Sequence, residues 1–138
     1  MDVRQFIEAD RDAVIKLWEA CKLTRPWNDP HKDIDRKLEF QPNLFFVGVK
    51  DSEVIASAMA GYDGHRGSVF YLAIHPKSQG LGYGRKLTAH IESTLARLGC
   101  PKLNILVRGT NIQVLDFYSS LKYKTDDVVS IGKRIKDD

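Results

Sequence analysis

The stretch that most constrains the fold is an apolar run, Val69 to Ile74, that leads through a glycine-rich turn into an amphipathic segment. Glycines at positions 80, 82 and 84 remove side chains from the turn, so backbone N–H groups can converge on an anion at the positive end of a helix. Arg85 and Lys86 add fixed positive charge there. The stretch therefore predicts a strand, a phosphate-binding turn and a helix.

The spacing of these glycines distinguishes between the known phosphate loops. A G-x-G-x-x-G fingerprint fails because Arg85 stands where the third glycine belongs, and no G-K-[ST] triplet closes the turn as in a P-loop. The pattern Gln79-x-x-Gly82-x-Gly84 instead resembles the coenzyme A pyrophosphate loop of the GNAT acetyltransferase superfamily. The resemblance implies acetyl-CoA as co-substrate, bound by Ile74, His75, Gln79, Gly80, Leu81, Gly82, Tyr83, Gly84 and Arg85.

Length and composition indicate an ordinary globular chain. With 138 residues, 43% hydrophobic and 28% charged, we expect a single domain, 1–138. A net charge of +3 is too small to favour nucleic acid, and no run approaches the roughly 20 apolar residues of a membrane span. Cys21 and Cys100 lack the spacing of a metal site or a disulfide framework, which predicts no metal and a reducing, cytoplasmic location.

Hydrophobic periodicity predicts a mixed α/β chain in the order βααβββαβαβ. The predicted strands are 3–7, 44–49, 54–59, 69–74, 102–107 and 128–135, with 44–49 and 54–59 forming a hairpin. Asp10 is predicted to cap the first helix, whose core face carries Ala13, Val14, Leu17, Trp18 and Cys21. Asp29 and Pro30 mark the start of the second helix, and later helices follow the glycine turn and span 112–121. The closing strand 128–135 could pair or exchange across a homodimer.

This order of elements is similar to the GNAT arrangement over nearly the whole chain. The resemblance implies an α/β fold with about six to seven strands, four helices and a central cleft where strands 69–74 and 102–107 splay apart around the acyl-pantetheine chain. A backbone N–H of Ala73, Ile74 or His75 would then stabilise the oxyanion of the reaction.

A second match to the family lies downstream. Asn111 precedes Tyr118 by seven residues, which is about two helical turns. The resemblance implies that both contact the cofactor and that Tyr118 is the general acid for the departing thiolate. Taken alone, Asn111 would be a helix cap and Tyr118 a half-buried aromatic. Lys122 stands where the family usually has glycine, which predicts backbone strain at that helix end.

The catalytic base and the acceptor pocket have several candidates. Asp63, His65 and Tyr71 are the options for the base, although Asp63-Gly64 is also a common hairpin turn pair. The loop with Arg25, Trp27 and Asn28, together with Tyr71, would shape the acceptor site, and its other reading is a proline-flanked loop anchored by one packed tryptophan. The stretches Arg-Pro-Trp-Asn-Asp-Pro and Gly-Tyr-Asp-Gly-His-Arg-Gly are similar to the small bacterial YpeA-type branch of the superfamily.

The resemblance implies an N-acetyltransferase in which a primary amine attacks acetyl-CoA directly within a ternary complex. The acceptor would be a small amine or amino acid, or a protein N-terminus presented as a peptide. Two alternatives stay open: a non-catalytic sensor of acyl-CoA, and a regulatory module that binds another phosphate-bearing ligand. A sensor would keep the glycine loop without needing Tyr118, so the presence of Tyr118 favours the enzyme.

Overall fold

The computed structural model describes all 138 residues, which divide into two compact units, Met1–Ile105 and Leu106–Asp138. The strands of the first unit are β1 (Asp2–Gln5), β2 (Phe45–Lys50), β3 (Glu53–Tyr62), β4 (Gly67–Ile74) and β5 (Leu103–Asn104). Its helices are α1 (Arg11–Ala20), α2 (Pro30–Glu39) and α3 (Tyr83–Arg97). The second unit contains α4 (Ile112–Ser120). The predicted α/β class is confirmed.

The five strands form one sheet in the order β1-β2-β3-β4-β5. Strands β1 to β4 pair antiparallel, whereas β4 and β5 pair parallel because α3 carries the chain back across the sheet. The predicted hairpin of β2 and β3 is confirmed. Its turn residues, Asp51 and Ser52, have φ angles of 51° and 64°, the left-handed conformation that two-residue hairpin turns use.

Each face of the sheet carries its own apolar cluster. On one face Val14, Leu17 and Trp18 of α1 and Ile34 of α2 pack on the sheet, and on the other face Leu87, Ile91 and Leu95 of α3 do so. Ala13, predicted for the core face of α1, is exposed, and Ile15 is buried instead. The apolar stripe is centred between Val14 and Trp18, and Ile15 lies nearer to that line than Ala13 at 100° per residue.

The ends of the first two helices differ in how they are capped. Asp29 caps α2 as predicted, because its carboxylate accepts the His31 N–H at 2.9 Å and Pro30 is the first helical residue. Asp10 precedes α1, but its side chain does not cap that helix. The carboxylate lies at the end of a short 3-10 turn and reaches back, accepting from Arg4 at 2.8 and 2.9 Å and from the Ile7 N–H at 2.9 Å.

Two predicted strands require correction. The strand over 102–107 is reduced to Leu103–Asn104, and the segment 128–135 forms no strand. A strand needs a neighbouring ladder as well as residues that favour extended backbone. In 128–135 the large apolar side chains of Val128, Val129, Ile131 and Ile135 are 78% to 96% exposed. The sheet therefore has five strands, fewer than predicted, alongside the four predicted helices. None of these helices has the length and apolar character to cross a membrane.

Candidate active site

Two residues of the glycine-rich turn have a left-handed backbone conformation, which glycine adopts readily. Gly80 and Gly82 have φ angles of 77° and 84°, and Gly82 is the cap residue from which α3 begins at Tyr83. A Cβ atom built on either glycine meets nothing within 4 Å. Glycine is therefore required here by backbone conformation and not by packing, and the space above the turn is open.

The N-terminus of α3 is prepared for an anion. The first N–H groups of a helix have no partner within it, and no side chain caps this end. Its first turn contains no acidic residue, and Arg85 is exposed there. The Lys50 ammonium lies 5.5 Å from the centre of the Tyr83 ring, and the Lys86 ammonium donates to the Met1 carbonyl. Positive charge and unpaired donors thus meet at one end of α3.

Two of the predicted cofactor-binding residues fix the loop to the end of β4. The Gln79 side-chain amide donates to the Ile74 carbonyl at 3.0 Å. His75 Nδ1 accepts the Lys77 N–H at 3.1 Å and so caps the 3-10 turn Pro76–Ser78. These contacts hold the glycine turn in a constant position relative to the strand.

The outer edge of β4 is open next to this loop. Pairing with β5 covers only Gly67 and Ser68, so the strand splays from β5 beyond that point. The His75 N–H donates to the Ile55 carbonyl of β3 at 2.8 Å. Because backbone groups alternate along a strand, the Ile74 N–H faces the opposite edge, where β5 offers no partner. Of the three amides predicted for the oxyanion, Ile74 is thus the one directed to the open edge.

Asn111 and Tyr118 lie in the second unit. The Asn111 side chain accepts the Val114 N–H at 3.3 Å and caps α4. Tyr118 is 7% exposed, with its ring centre 5.0 Å from that of Phe117 and 5.3 Å from that of Tyr123. Burial raises the pKa of Tyr118 to about 12, so its hydroxyl stays protonated at neutral pH. The structure thus accounts for Asn111 as a cap, and the cofactor contacts of both residues stay predictions. Lys122 has a φ of 71°, as expected from the glycine it replaces.

Asp63 and His65 belong to the turn between β3 and β4. The Asp63 carboxylate accepts the His65 N–H at 2.8 Å and the Arg66 N–H at 2.7 Å. The bonds from Arg66 and His65 lower the pKa of Asp63. Both side chains are exposed, and Gly64 between them has a φ of 91°. This geometry accounts for Asp63 as a turn residue, and a catalytic role for either side chain stays a prediction.

Hydrogen bonds to its own backbone carbonyls hold the loop between α1 and α2 in place. The Arg25 guanidinium donates to the Lys22 carbonyl at 2.7 Å and to the Thr24 carbonyl at 2.9 Å, and the Asn28 N–H donates to the Arg25 carbonyl at 3.1 Å. Trp27 is 54% exposed, so it does not anchor the loop by packing. An exposed tryptophan in a loop that hydrogen bonds hold in place is suited to contact a ligand.

Asp33 was missed by the sequence analysis. The Tyr71 hydroxyl donates to Asp33 Oδ2 at 2.6 Å, and Arg36 donates to Asp33 Oδ1 at 2.7 Å. The Tyr71 ring stacks on Trp18 with ring centres 3.8 Å apart. The carboxylate therefore lies beside one of the residues predicted as base or acceptor contact. Nothing in local spacing reveals this pairing, since Asp33 and Tyr71 are 38 positions apart.

Residues 11–123 match the sequence model of the acetyltransferase (GNAT) family. The chain belongs to this family. An acetyltransferase of Pectobacterium atrosepticum is 46% identical over 138 residues, covering 100% of this chain and 98% of that protein. An acetyltransferase of Yersinia enterocolitica is 47% identical over 135 residues, covering 98% and 96%. The predicted superfamily and its enzymatic character, acetyl transfer, are confirmed, and the YpeA-type branch stays a prediction.

Solved structures share the fold of this GNAT protein. The PaiA N-acetyltransferase of Thermoplasma acidophilum, in complex with coenzyme A, has a TM-score of 0.79 at 17% identity, covering 93% of this chain and 92% of that one. The ribosomal-protein-S18-alanine N-acetyltransferase of Escherichia coli has a TM-score of 0.72 at 20% identity, covering 87% and 75%. At these identities the likeness supports the fold alone.

Proposed function

We propose that this GNAT protein transfers the acetyl group of acetyl-CoA to a primary amine by direct attack, with residues 1–138 acting as one domain. The amine nitrogen forms the new C–N bond and the thioester C–S bond breaks. The ammonium form of the acceptor loses two protons over the reaction, and the departing sulfur takes up one. The site must therefore accept a proton from the amine, stabilise an oxyanion and supply a donor to sulfur.

The observation that carries the proposal is the open edge of β4 beside an uncapped helix N-terminus, in a chain of this family. Peptide-like groups of a pantetheine arm can pair with an open strand edge, as an added strand does. A pyrophosphate suits the unpaired N–H groups at Tyr83, Gly84 and Arg85, and the exposed turn Gly80–Gly82 offers no side chain that obstructs it except Leu81. The donor set therefore fits a thioester of coenzyme A.

Tyr118 is proposed as the donor to the departing sulfur, and Asn111 as a further cofactor contact. A phenol with a pKa of about 12 keeps its proton at neutral pH. Complete transfer to a thiolate of ordinary pKa near 8.5 would be uphill by roughly 5 kcal/mol. We therefore propose that Tyr118 stabilises the sulfur mainly by hydrogen-bond donation, with solvent supplying the final proton.

The acceptor side of the proposal involves the loop with Arg25, Trp27 and Asn28, and Tyr71 with its neighbour Asp33. A small amine or amino acid, or the N-terminus of a protein, are both acceptors of the required chemistry. The names of the two fold neighbours describe N-acetyltransferases, one of them acting on an alanine of ribosomal protein S18. We propose an amine acceptor for this chain as well. Asp63, His65 and Tyr71 stay the proposed candidates for the base.

Calorimetric titration with acetyl-CoA, coenzyme A, NAD and ATP tests the first step. We expect selective binding of the two coenzyme A compounds, followed by coenzyme A release in the presence of one class among small amines, amino acids and short peptides with free N-termini. Mass spectrometry of the acceptor should show one added acetyl group. Selective binding without release by any amine would leave the acyl-CoA sensor as the function, and tighter binding of ATP would overturn the cofactor assignment.

A further inference from the structure

Strand β4 contains a bulge at Tyr71 that changes its alternation. Pairing with β3 shifts between Ser57 and Met59, so that one residue of β3 faces two of β4. Val69 packs in the cluster under α3, and Leu72 and Ile74 pack against it, while Tyr71 and Ala73 pack under α1. Odd-numbered and even-numbered residues therefore exchange faces at the bulge. Tyr71 itself has a φ of 52°, a strained conformation for a bulky side chain.

The same shift exchanges the direction of the backbone N–H groups. Before the bulge, the Gly67 N–H points to the β5 side, since it donates to the Lys102 carbonyl at 2.8 Å. After it, the His75 N–H points to β3. Alternation then directs the Leu72 and Ile74 N–H groups to the open edge. Without the bulge, the Ala73 N–H would face that edge and the Ile74 N–H would pair with β3.

A buried relay holds the bulge in place. Trp18 Nε1–H donates to Ser57 Oγ at 2.9 Å, and the Ser57 hydroxyl donates to the Tyr71 carbonyl at 3.1 Å. Trp18 and Ser57 are fully buried, so neither donor can turn to water if the relay is broken. The Tyr71 ring stacks on Trp18, and its hydroxyl donates to Asp33. The Ser57 hydroxyl binds the backbone of the bulged residue itself.

We propose that Ser57 is a positioning residue for acetyl transfer: its hydroxyl fixes the Tyr71 carbonyl and thereby directs the Leu72 and Ile74 N–H groups to the edge where the thioester carbonyl binds. The proposal rests on the function proposed above. Ser57 touches neither substrate and acts through Tyr71. Trp18 supports it by orienting the hydroxyl, because the indole N–H occupies one lone pair of Ser57 Oγ and leaves the hydroxyl hydrogen for Tyr71.

The kinetic test compares three variants of Ser57. Ser57→Ala removes the hydroxyl, Ser57→Thr keeps it, and Ser57→Val has the shape of the threonine variant without the hydroxyl. With the amine found in the acceptor screen, kcat should fall roughly tenfold or more for Ala and Val, which is less than for complete loss of an oxyanion donor because the donors stay present but lose their fixed direction. The acceptor KM should change little. Thr should restore most of kcat. Equal kcat values for Thr and Val would overturn the proposal.

Amide hydrogen exchange tests the structure of the bulge without any substrate. In the unsubstituted protein the Ala73 N–H, paired with β3, should exchange slowly and the Ile74 N–H quickly. Ser57→Ala should speed exchange at Ala73, and unchanged exchange at both amides would refute the role of Ser57 in the bulge. If no amine supports turnover by the unsubstituted protein, the proposed function fails. Hydrogen exchange would still decide whether the Ser57 hydroxyl holds the bulge at Tyr71. If Ser57→Ala does not fold, Trp18→Phe removes the indole donor while keeping an aromatic ring, and should give the same direction of change.

Discussion

Replacing Gly82 by alanine isolates the conformational demand of the loop. Gly82 has a φ of 84° and ψ of 6°, and an added Cβ meets nothing within 4 Å. The substitution therefore introduces no clash, and its effect on folding is the cost of placing an L-residue in the left-handed region. That cost is about 1–2 kcal/mol, and the lower entropy of the unfolded alanine chain offsets about half a kcal/mol of it.

The expected net result is a loss of about 1 kcal/mol in the free energy of unfolding, measured by urea denaturation. For a chain of this size the midpoint of thermal unfolding should fall by about 3–4 °C. Gly109→Ala is the matched control, because its Cβ also meets nothing within 4 Å and its φ is not in the left-handed region. It should change stability by less than about 0.5 kcal/mol.

A third variant separates stability from binding. Asparagine tolerates the left-handed region better than alanine, so Gly82→Asn should be the more stable of the two. Its side chain nevertheless projects into the open space above the turn, and acetyl-CoA affinity measured by calorimetry should fall for both. If Gly82→Ala and Gly109→Ala unfold alike, the conformational reasoning is wrong. If Gly82→Asn binds acetyl-CoA as tightly as the unsubstituted protein, the loop assignment is wrong.

Three further predictions concern single side chains. Tyr118→Phe should lower kcat while acetyl-CoA affinity is kept. Burial raises the pKa of Tyr118 from 10 to about 12 in the folded protein, so between pH 10 and 12 the unfolded chain loses this proton first and the free energy of unfolding falls. The variant, which lacks the hydroxyl, should lose less over the same pH range. Asp10→Asn should destabilise the protein by about 1–3 kcal/mol at pH 7 in urea titrations. The Arg4 contact lowers the pKa of Asp10, so the stability that the ionised Asp10 contributes is present above the ordinary carboxylate range and is lost as pH falls through the folded pKa. If the difference in unfolding free energy between the variant and the unsubstituted protein were the same at pH 2 as at pH 7, this reasoning would be contradicted. Trp27→Ala should leave the unfolding midpoint within error, since the ring is 54% exposed, but should raise the acceptor KM.

Features set by a few consecutive residues could be predicted from the sequence. The left-handed glycines of the loop, the Asp29 cap and the turn at Asp51 each follow from local chemistry, and all are present. The length of β5 could not be predicted, because a strand ends where its neighbour stops pairing and not where its own residues change. Residues 105–107 favour extended backbone as much as Leu103 does, yet pairing ends at Asn104.

The parts of the site that sequence reasoning missed depend on distant pairs. Trp18 and Ser57 are 39 positions apart, and their bond exists only because α1 packs on β3. The bulge at Tyr71 could not be predicted from a glycine, because the residue with the positive φ is a tyrosine and the surrounding packing stabilises that conformation. Family resemblance predicted a cleft beside β4, but only the folded chain reveals that the Ile74 N–H is directed to the open edge of that strand.

The bulge at Tyr71 also bears on how related sequences can be compared. One extra residue determines which backbone groups β4 presents, so the number of positions between Val69 and His75 carries information that the identity of their side chains does not. A relative with a one-residue gap in this interval could match every apolar position and still present the other set of amides at the cleft. Conversely, a relative whose other β4 side chains differ would present the same set if the count and the contacts of Tyr71 were kept. Along β4, the number of residues therefore matters to the proposed site as much as their identity does.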